Sequence, residues 1–372
     1  MTATADVVVI GAGIVGAAVA EALARDGRRV AVVEPTAAGG GATAAGMGHV
    51  VVMDDSEAQF ALTRYSRDLW DEMAPELPAE AEFERCGTLW VAADEEEMAA
   101  VRAKKQYYDA RSVAAEILDS DALAKAEPNL RAGLAGGLLV AGDSVIYAPC
   151  AAAWFIAEAR RRGAEMLLGA SVRDVRGDGV TLDTGDRISA GAVICAAGAW
   201  ATDLFPALAM RPRKGHLAIT DRYPGFVRHQ LVELGYLKSA HGHANESVAF
   251  NAQPRKTGQI LIGSSRQYGV THARVEHAML GRMLRRAIEY MPALGRLSVI
   301  RTWTGFRAAT PDSLPVVGPC PDRKGVFLAT GHEGLGITTS LGTARLLADL
   351  LAGRSSSIDA APYLPSRLAA HA

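Results

Sequence analysis

Short unbroken apolar runs, each followed by a glycine turn and a helical stretch, recur along this chain. Asp6-Val7-Val8-Val9-Ile10 is the first, and its continuity fits a strand buried on both faces. Gly11-Ala12-Gly13-Ile14-Val15-Gly16 follows at once. Residues 17–25 have helical composition and end near Gly27, and a second apolar strand over 29–33 closes on Glu34. Next comes a run of tiny residues, Gly39-Gly40-Gly41-Ala42-Thr43-Ala44-Ala45-Gly46-Met47-Gly48. A helix is expected from the Asp55-Ser56 cap, with Leu62, Tyr65, Leu69 and Met73 as its apolar stripe.

A strand is expected over 83–93. Asp94-Glu95-Glu96-Glu97 then opens a helix ending near Lys104-Lys105, with acids first and bases last as the helix dipole favours. Residues 117–130 read as a short helix broken by Pro128, and 133–140 as a glycine-rich strand pair. A second α/β unit follows: a helix over 150–162 and strands over 164–168, 180–184 and 192–196. Ala197-Gly198-Ala199-Trp200 then makes a tight turn. Residues 211–290 change texture, with strands expected over 217–220, 248–251 and 259–263 and a helix over 276–290. The C-terminal part returns to glycine turns. A strand over 326–329 leads into Thr330-Gly331-His332-Glu333-Gly334-Leu335-Gly336-Ile337-Thr338, followed by a helix over 340–351.

Composition narrows the options. The chain has 372 residues, 49% hydrophobic and 22% charged, with a formal net charge of −2. That is ordinary globular protein, long enough for two domains, with no field for binding a polyanion, so nucleic acid is excluded as a partner. The four cysteines, Cys86, Cys150, Cys195 and Cys320, are scattered, which argues against a disulfide scaffold or an iron–sulfur centre. Most of the nine histidines fall in 211–290, but neither His241-Gly242-His243 nor His272 with His277 has metal-ligand spacing, so no metal is expected. Glycines and Glu21 interrupt the apolar N-terminal stretch, and no basic segment precedes it. It therefore reads as strand and helix rather than leader or membrane span, and a cytoplasmic protein is expected, with peripheral membrane attachment through partners left open.

Strand, G-x-G-x-x-G, helix, strand and terminal acid together form the dinucleotide fingerprint in its required setting. Gly11 allows the tight turn, Gly13 the approach of a pyrophosphate, and Gly16 the packing of helix on strand, while Glu34 accepts from ribose hydroxyls. The fingerprint alone leaves NAD and FAD open. The tiny-residue run suits backbone passing close to a flat ligand, and the Gly331 turn offers a second set of N–H groups and a helix end to an electron-rich cofactor.

The Gly11 fingerprint, Glu34, the small-residue loop, Ala197-Gly198-Ala199-Trp200, Thr310-Pro311-Asp312 and the Gly331-His332 turn occur in an order that resembles the FAD-dependent D-amino-acid oxidase superfamily over nearly the whole chain. Ala44-Ala45-Gly46-Met47 and the stretch from Phe306-Arg307 to Thr310-Pro311-Asp312 look like glycine oxidase. The Gly331-His332-Glu333-Gly334 turn looks like the β subunits of bacterial amino-acid dehydrogenases: hydrogen cyanide synthase, opine oxidase and D-hydroxyproline dehydrogenase.

The resemblance implies an α/β fold, α+β overall. It has a discontinuous Rossmann-like FAD-binding domain (1–82, 145–210, 300–372) and a smaller, mostly antiparallel β substrate domain (83–144, 211–299). It places the ADP half of FAD on Gly11, Gly13, Ile14, Val15, Gly16 and Glu34, with Val172 against adenine. Thr43, Ala44, Ala45, Gly46 and Met47 would line the flavin ring, with Ala197, Gly198, Trp200, Gly305 and the turn from Gly331 to Thr338 completing the site. Covalent members carry a cysteine before the Thr-Pro-Asp stretch. Gly305 and Phe306 stand there in this chain, so non-covalent FAD is expected.

Arg307 would hold a substrate carboxylate, Met47 would be pocket wall, and His49 and His332 are candidate pocket residues. The implied reaction is oxidation of a small amino acid at its C–N bond by hydride transfer to FAD, D-hydroxyproline or D-proline being favoured. The alternatives are a glycine or sarcosine oxidase using O₂, and a non-catalytic FAD-binding electron-transfer subunit of a larger complex. Implied partners are a small amino acid and either an iron–sulfur or flavin-containing subunit or a second copy of the chain.

Overall fold

The computed structural model describes residues 3–235 and 246–371, so His241-Gly242-His243 lies outside the described residues. Two eight-stranded sheets organise the chain. The first has the order Val316–Pro319, Val326–Thr330, Arg187–Cys195, Ala3–Ile10, Val30–Glu34, Glu165–Leu168, with Val172–Arg176 and Gly179–Leu182 folded beside Arg187–Cys195 as an antiparallel ribbon. Its central pairs are parallel. Val7, Val8 and Val9 in the middle strand are fully buried, as a continuous apolar run covered on both faces requires. Helices Ile14–Arg25, Ala148–Arg161 and Gly336–Leu351 pack together over one face. Val175, Val180, Phe205 and Met210 cover the other.

The second sheet runs Val299–Ala309, Arg211–Thr220, Ile260–Gln267, Glu246–Pro254, Gln230–Glu233, Thr88–Ala92, Gly136–Val140, Glu116–Asp119. It is antiparallel except between Gln230–Glu233 and Thr88–Ala92. Helix His277–Tyr290 buries Met283, Ala287 and Tyr290 on one face. The chain leaving the first sheet, residues 47–53, lies on the other face: Gln253 Nε2 donates to the Met47 carbonyl (2.6 Å), and Val51, Val52 and Met53 join Trp90 and Leu138.

Several elements depart from the sequence reading for local reasons. The helices expected from residues 17 and 340 begin at Ile14 and Gly336, because glycines are accepted in a first turn that packs tightly on its strand. Ile117 and Leu118 belong to the strand Glu116–Asp119. Asp119 then caps a helix of only Ser120–Ala126, accepting from the Ala122 N–H at 2.8 Å. The expected pair over 133–140 is one strand with two different neighbours. Residues 300–309, expected within the cofactor domain, form with Val299 the edge of the second sheet, paired along Arg211–Thr220. Val299, Ile300, Thr302, Trp303, Thr304 and Phe306, β-branched or aromatic, suit that strand.

Candidate active site

The first strand turns into its helix over Gly11–Gly16. A Cβ on Gly16 would overlap the Gly11 carbonyl oxygen, so helix and strand approach as closely as backbone permits. Gly13 precedes the helix with no side chain of its own to cap it, which leaves the positive end of the helix open to an anion. Glu34 is buried at the end of its strand. Its carboxylate accepts from the Ala12 N–H (2.9 Å) and from the Thr36 N–H and hydroxyl. Thr43 Oγ1 accepts from the Ile14 N–H at 2.9 Å, tying the small-residue loop to the same turn. Gly169 N–H donates to the Glu34 carbonyl (2.9 Å), which starts the chain toward Val172 alongside.

The two glycine-rich segments meet. A Cβ on Gly305 would overlap that of Ala45, and one on Gly46 would stand 2.9 Å from Ile337 Cδ1. Thr338 Oγ1 donates to the His49 carbonyl (2.8 Å), and Trp70 Nε1 donates to the Thr338 carbonyl (3.1 Å). Glu333, at φ 50°, pairs with Arg213 of the second sheet, and Arg213 also reaches the Tyr268 hydroxyl (3.3 Å). Trp200 is half exposed and edge-on to Phe306 at 5.6 Å, and Thr330 Oγ1 donates to the Gly198 carbonyl. The buried His332 ring turns onto Thr343 Oγ1 (3.0 Å), into the helix that follows it, and burial pushes its pKa down to about 3. Cys320 packs under the far face of the first sheet, its N–H on the Val326 carbonyl.

Arg307 sits where these parts converge. It is half-buried on the edge strand of the second sheet, with Gly334 beside its Nε (3.8 Å from a Cβ there). Its Nη1 donates to the Ser265 carbonyl at 3.1 Å. Burial, and then the nearby guanidinium, push the His49 pKa down to about 4, so its imidazole is neutral at pH 7. Its buried Nε2 has no partner among the described residues.

Residues not singled out in the sequence complete this face. Asn251 pairs across strands with Gly263, and a Cβ on Gly263 would stand 2.9 Å from the Met47 sulfur. Asn251 Oδ1 and Gln253 Oε1 are buried acceptors without a partner among the described residues. A small cleft of about 110 Å³ opens next to Met47, between Tyr147, Pro149, Arg255 and Trp303. The available signal was alternation. Asn251 and Gln253 are polar residues at every second position of a strand, but nothing local says which face is which.

Among the described residues no helix is long and apolar enough to cross a membrane, and no group of three or more His, Cys, Asp or Glu is placed to hold a metal. Residues 6–350 match the family of FAD dependent oxidoreductases, DAO. The chain is 30% identical to glycine oxidase of Geobacillus kaustophilus over 99% of its own length and 98% of that protein's. It is 29% identical to hydrogen cyanide synthase subunit HcnC of Pseudomonas aeruginosa, over 99% and 97%. The crystal structure of the Geobacillus glycine oxidase superposes with a TM-score of 0.89 at 29% identity, covering 98% of this chain and 99% of that one.

The residues present fit the cofactor. The positive end of the helix that starts at Ile14 suits a pyrophosphate, Glu34 suits ribose, and at Ala45 and Gly46 the small-residue loop carries nothing larger than a methyl to obstruct a planar ring. This chain therefore belongs to the DAO family of FAD-dependent oxidoreductases and is an enzyme of the amino-acid oxidase and dehydrogenase type, acting on amino donors.

Proposed function

We propose that the protein oxidises the C–N bond of a small D- or secondary amino acid, with D-proline and cis-4-hydroxy-D-proline the favoured substrates. The observation that carries this is one face of the second sheet: it holds the Arg307 guanidinium on the Ser265 carbonyl, the neutral His49 near that guanidinium, and, one strand beyond Ser265, the buried Asn251 Oδ1 and Gln253 Oε1, which have no partner among the described residues. A guanidinium takes a carboxylate by two parallel hydrogen bonds and fixes the α-carbon relative to it. Buried neutral acceptors suit the N–H of an amine, or a ring hydroxyl, without adding charge. FAD, when bound non-covalently as the residues before Thr310 imply, supplies the two-electron acceptor for the hydride leaving the α-carbon. As the hydride leaves the neutral amine, the nitrogen lone pair closes the C=N bond, and the resulting iminium gives up one proton to solvent. The imine is hydrolysed, or persists when cyclic. In this reading Arg307 binds and orients, Met47 walls the pocket and excludes water, and the neutral His49 accepts from the amine.

Anaerobic bleaching of the visible flavin band tests the reading, using glycine, sarcosine, D-alanine, D-proline and cis-4-hydroxy-D-proline. Bleaching by the proline compounds is expected. Bleaching by glycine and sarcosine with prompt recovery in air would support the second reading, a glycine or sarcosine oxidase, which the likeness to glycine oxidase favours. A yellow protein bleached by none of them would point to an FAD-binding subunit whose chemistry needs a partner. Release of the yellow chromophore on acid precipitation is the expected sign of non-covalent attachment.

A further inference from the structure

The carboxylate clamp has a built support. Arg307 lies on the edge strand Val299–Ala309, and its hydrogen-bond partner Ser265 lies two strands away in Ile260–Gln267. The strand between them, Arg211–Thr220, offers no side chain at the crossing. There Gly215 stands opposite Gly305, and a Cβ on Gly215 would overlap the Arg307 guanidinium. The side chain thus crosses a whole strand over a glycine to reach a backbone carbonyl.

That carbonyl sits where the ladder is irregular on both sides. The register slips between Lys214 and Ala218 against one neighbour and between Val248 and Asn251 against the other. Bulges free or re-aim backbone groups beside functional sites. Here the loss is made good by a side chain. The His216 N–H donates to Ser265 Oγ (2.9 Å), and His216 Nδ1 lies 3.0 Å from the same oxygen. His216 Nε2 accepts from the Glu276 N–H at 3.0 Å, which leaves the ring proton on Nδ1, facing Ser265.

The Glu276 carboxylate is held by the fully buried Lys214 (2.9 Å) and by Gln267 (2.9 Å). Lys214 Nζ also donates to the Arg274 carbonyl and stands 3.4 Å from His272 Nδ1. Glu276 precedes helix His277–Tyr290, so the chain of contacts runs from the covering helix through the sheet to the guanidinium.

We infer that Ser265 and His216 are positioning residues for Arg307, and that Gly215 is the passage that lets the guanidinium reach them. The inference rests on the assignment of Arg307 to the substrate carboxylate. Without the hydroxyl, the buried His216 N–H loses its acceptor, the bulge resets and the Ser265 carbonyl turns away. Arg307 then keeps its charge but loses its orientation. A residue acting this way weakens carboxylate binding far more than it slows a bound substrate.

The test measures the dissociation constant of acetate, a carboxylate with no oxidisable amine, from its perturbation of the flavin band, alongside kcat and KM for the substrate identified by bleaching. Ser265→Ala is expected to raise the acetate constant and KM about tenfold or more while kcat changes less than about threefold. Ser265→Thr, which keeps the hydroxyl, should stay within about twofold of the parent. Gly215→Ala displaces Arg307 without touching Ser265 or His216, and it should give the same acetate defect if Ser265→Ala does not fold. In an Arg307→Ala background, Ser265→Ala should add nothing. The inference is overturned if Ser265→Ala and Gly215→Ala bind acetate like the parent while Arg307→Ala does not. It is also overturned if the Ser265 effect persists undiminished in the Arg307→Ala background. Acetate binding unchanged in Arg307→Ala itself would instead remove the carboxylate assignment on which the inference stands.

Discussion

On the parallel sheet the groups we assign to the cofactor, from Gly11 to Gly16, are near neighbours in sequence and belong to one backbone turn. At the antiparallel sheet the groups we propose for the substrate, Arg307, Asn251 and Met47, with Ser265 behind Arg307, come from four separate segments and meet across strands. A site made of backbone needs small residues and a fixed turn, so a substitution there changes the fold itself. A site made of cross-strand side chains tolerates a substitution in its frame and registers it in binding. The two halves should therefore fail differently.

The largest expected failure is Gly16→Val. Its side chain has nowhere to go but the Gly11 carbonyl, a backbone clash costing more than about 3 kcal/mol, so cofactor retention and cooperative unfolding should be lost together. Arg307→Ala should leave the protein yellow and folded. Its kcat/KM should fall by about 2–5 kcal/mol of transition-state stabilisation, a loss of tens- to thousandsfold seen by steady-state kinetics beside a flavin spectrum. If Arg307→Ala instead came off the column colourless, the separation between the two halves would be wrong.

A third test uses pH. His332 is neutral in the folded protein, with its pKa pushed down to about 3 by burial, and His216 likewise to about 4 by burial and Lys214. Unfolded histidine takes up a proton below about pH 6.5. The folded state therefore loses stability as pH falls from 6.5 toward those values, by about 3 kcal/mol at pH 4.5 for His332 at most. Asp143, raised to about 6 by burial, acts in the opposite direction over part of that range. The comparison of parent with His332→Gln is therefore the readout, and urea unfolding of the variant should show the shallower acid decline. The smallest effect is expected from Met47→Leu, a swap of nearly equal volume. It should cost less than about 1.5 kcal/mol in urea unfolding and alter KM a few-fold.

The same contrast explains what could be read in advance. The βαβ unit, Glu34, the small-residue loop and the Gly331 turn are all local patterns, and each carries its reason in adjacent residues. Caps were equally legible: Ser56 accepts from the Gln59 N–H and Asp94 from the Glu97 N–H, both at the expected helix starts. The second sheet was legible only in texture. The apolar pattern shortens its strands and does not mark Val299–Ala309, where Thr302, Gly305 and Arg307 interrupt it. Asn251, Ser265 and Gly215 take their meaning from partners dozens of residues away, which no single segment displays. His332 shows the converse: a histidine in a functional turn reads as a pocket residue until its ring is found lodged on Thr343.

The pairing of Ala3–Ile10 with Arg187–Cys195 also bears on how the chain comes to fold. Ala3–Ile10 lies in the interior of its sheet, and one of its edges stays unpaired until a segment nearly two hundred residues later arrives. Helix Ile14–Arg25 waits still longer, for Gly336–Leu351. Contacts of such sequence separation make folding slow and late, since loop closure must precede its reward. During synthesis the nascent protein carries an open row of valine backbone, a template for mispairing. Expression yield should therefore respond to growth temperature and to chaperone supply before it responds to any substitution in the site.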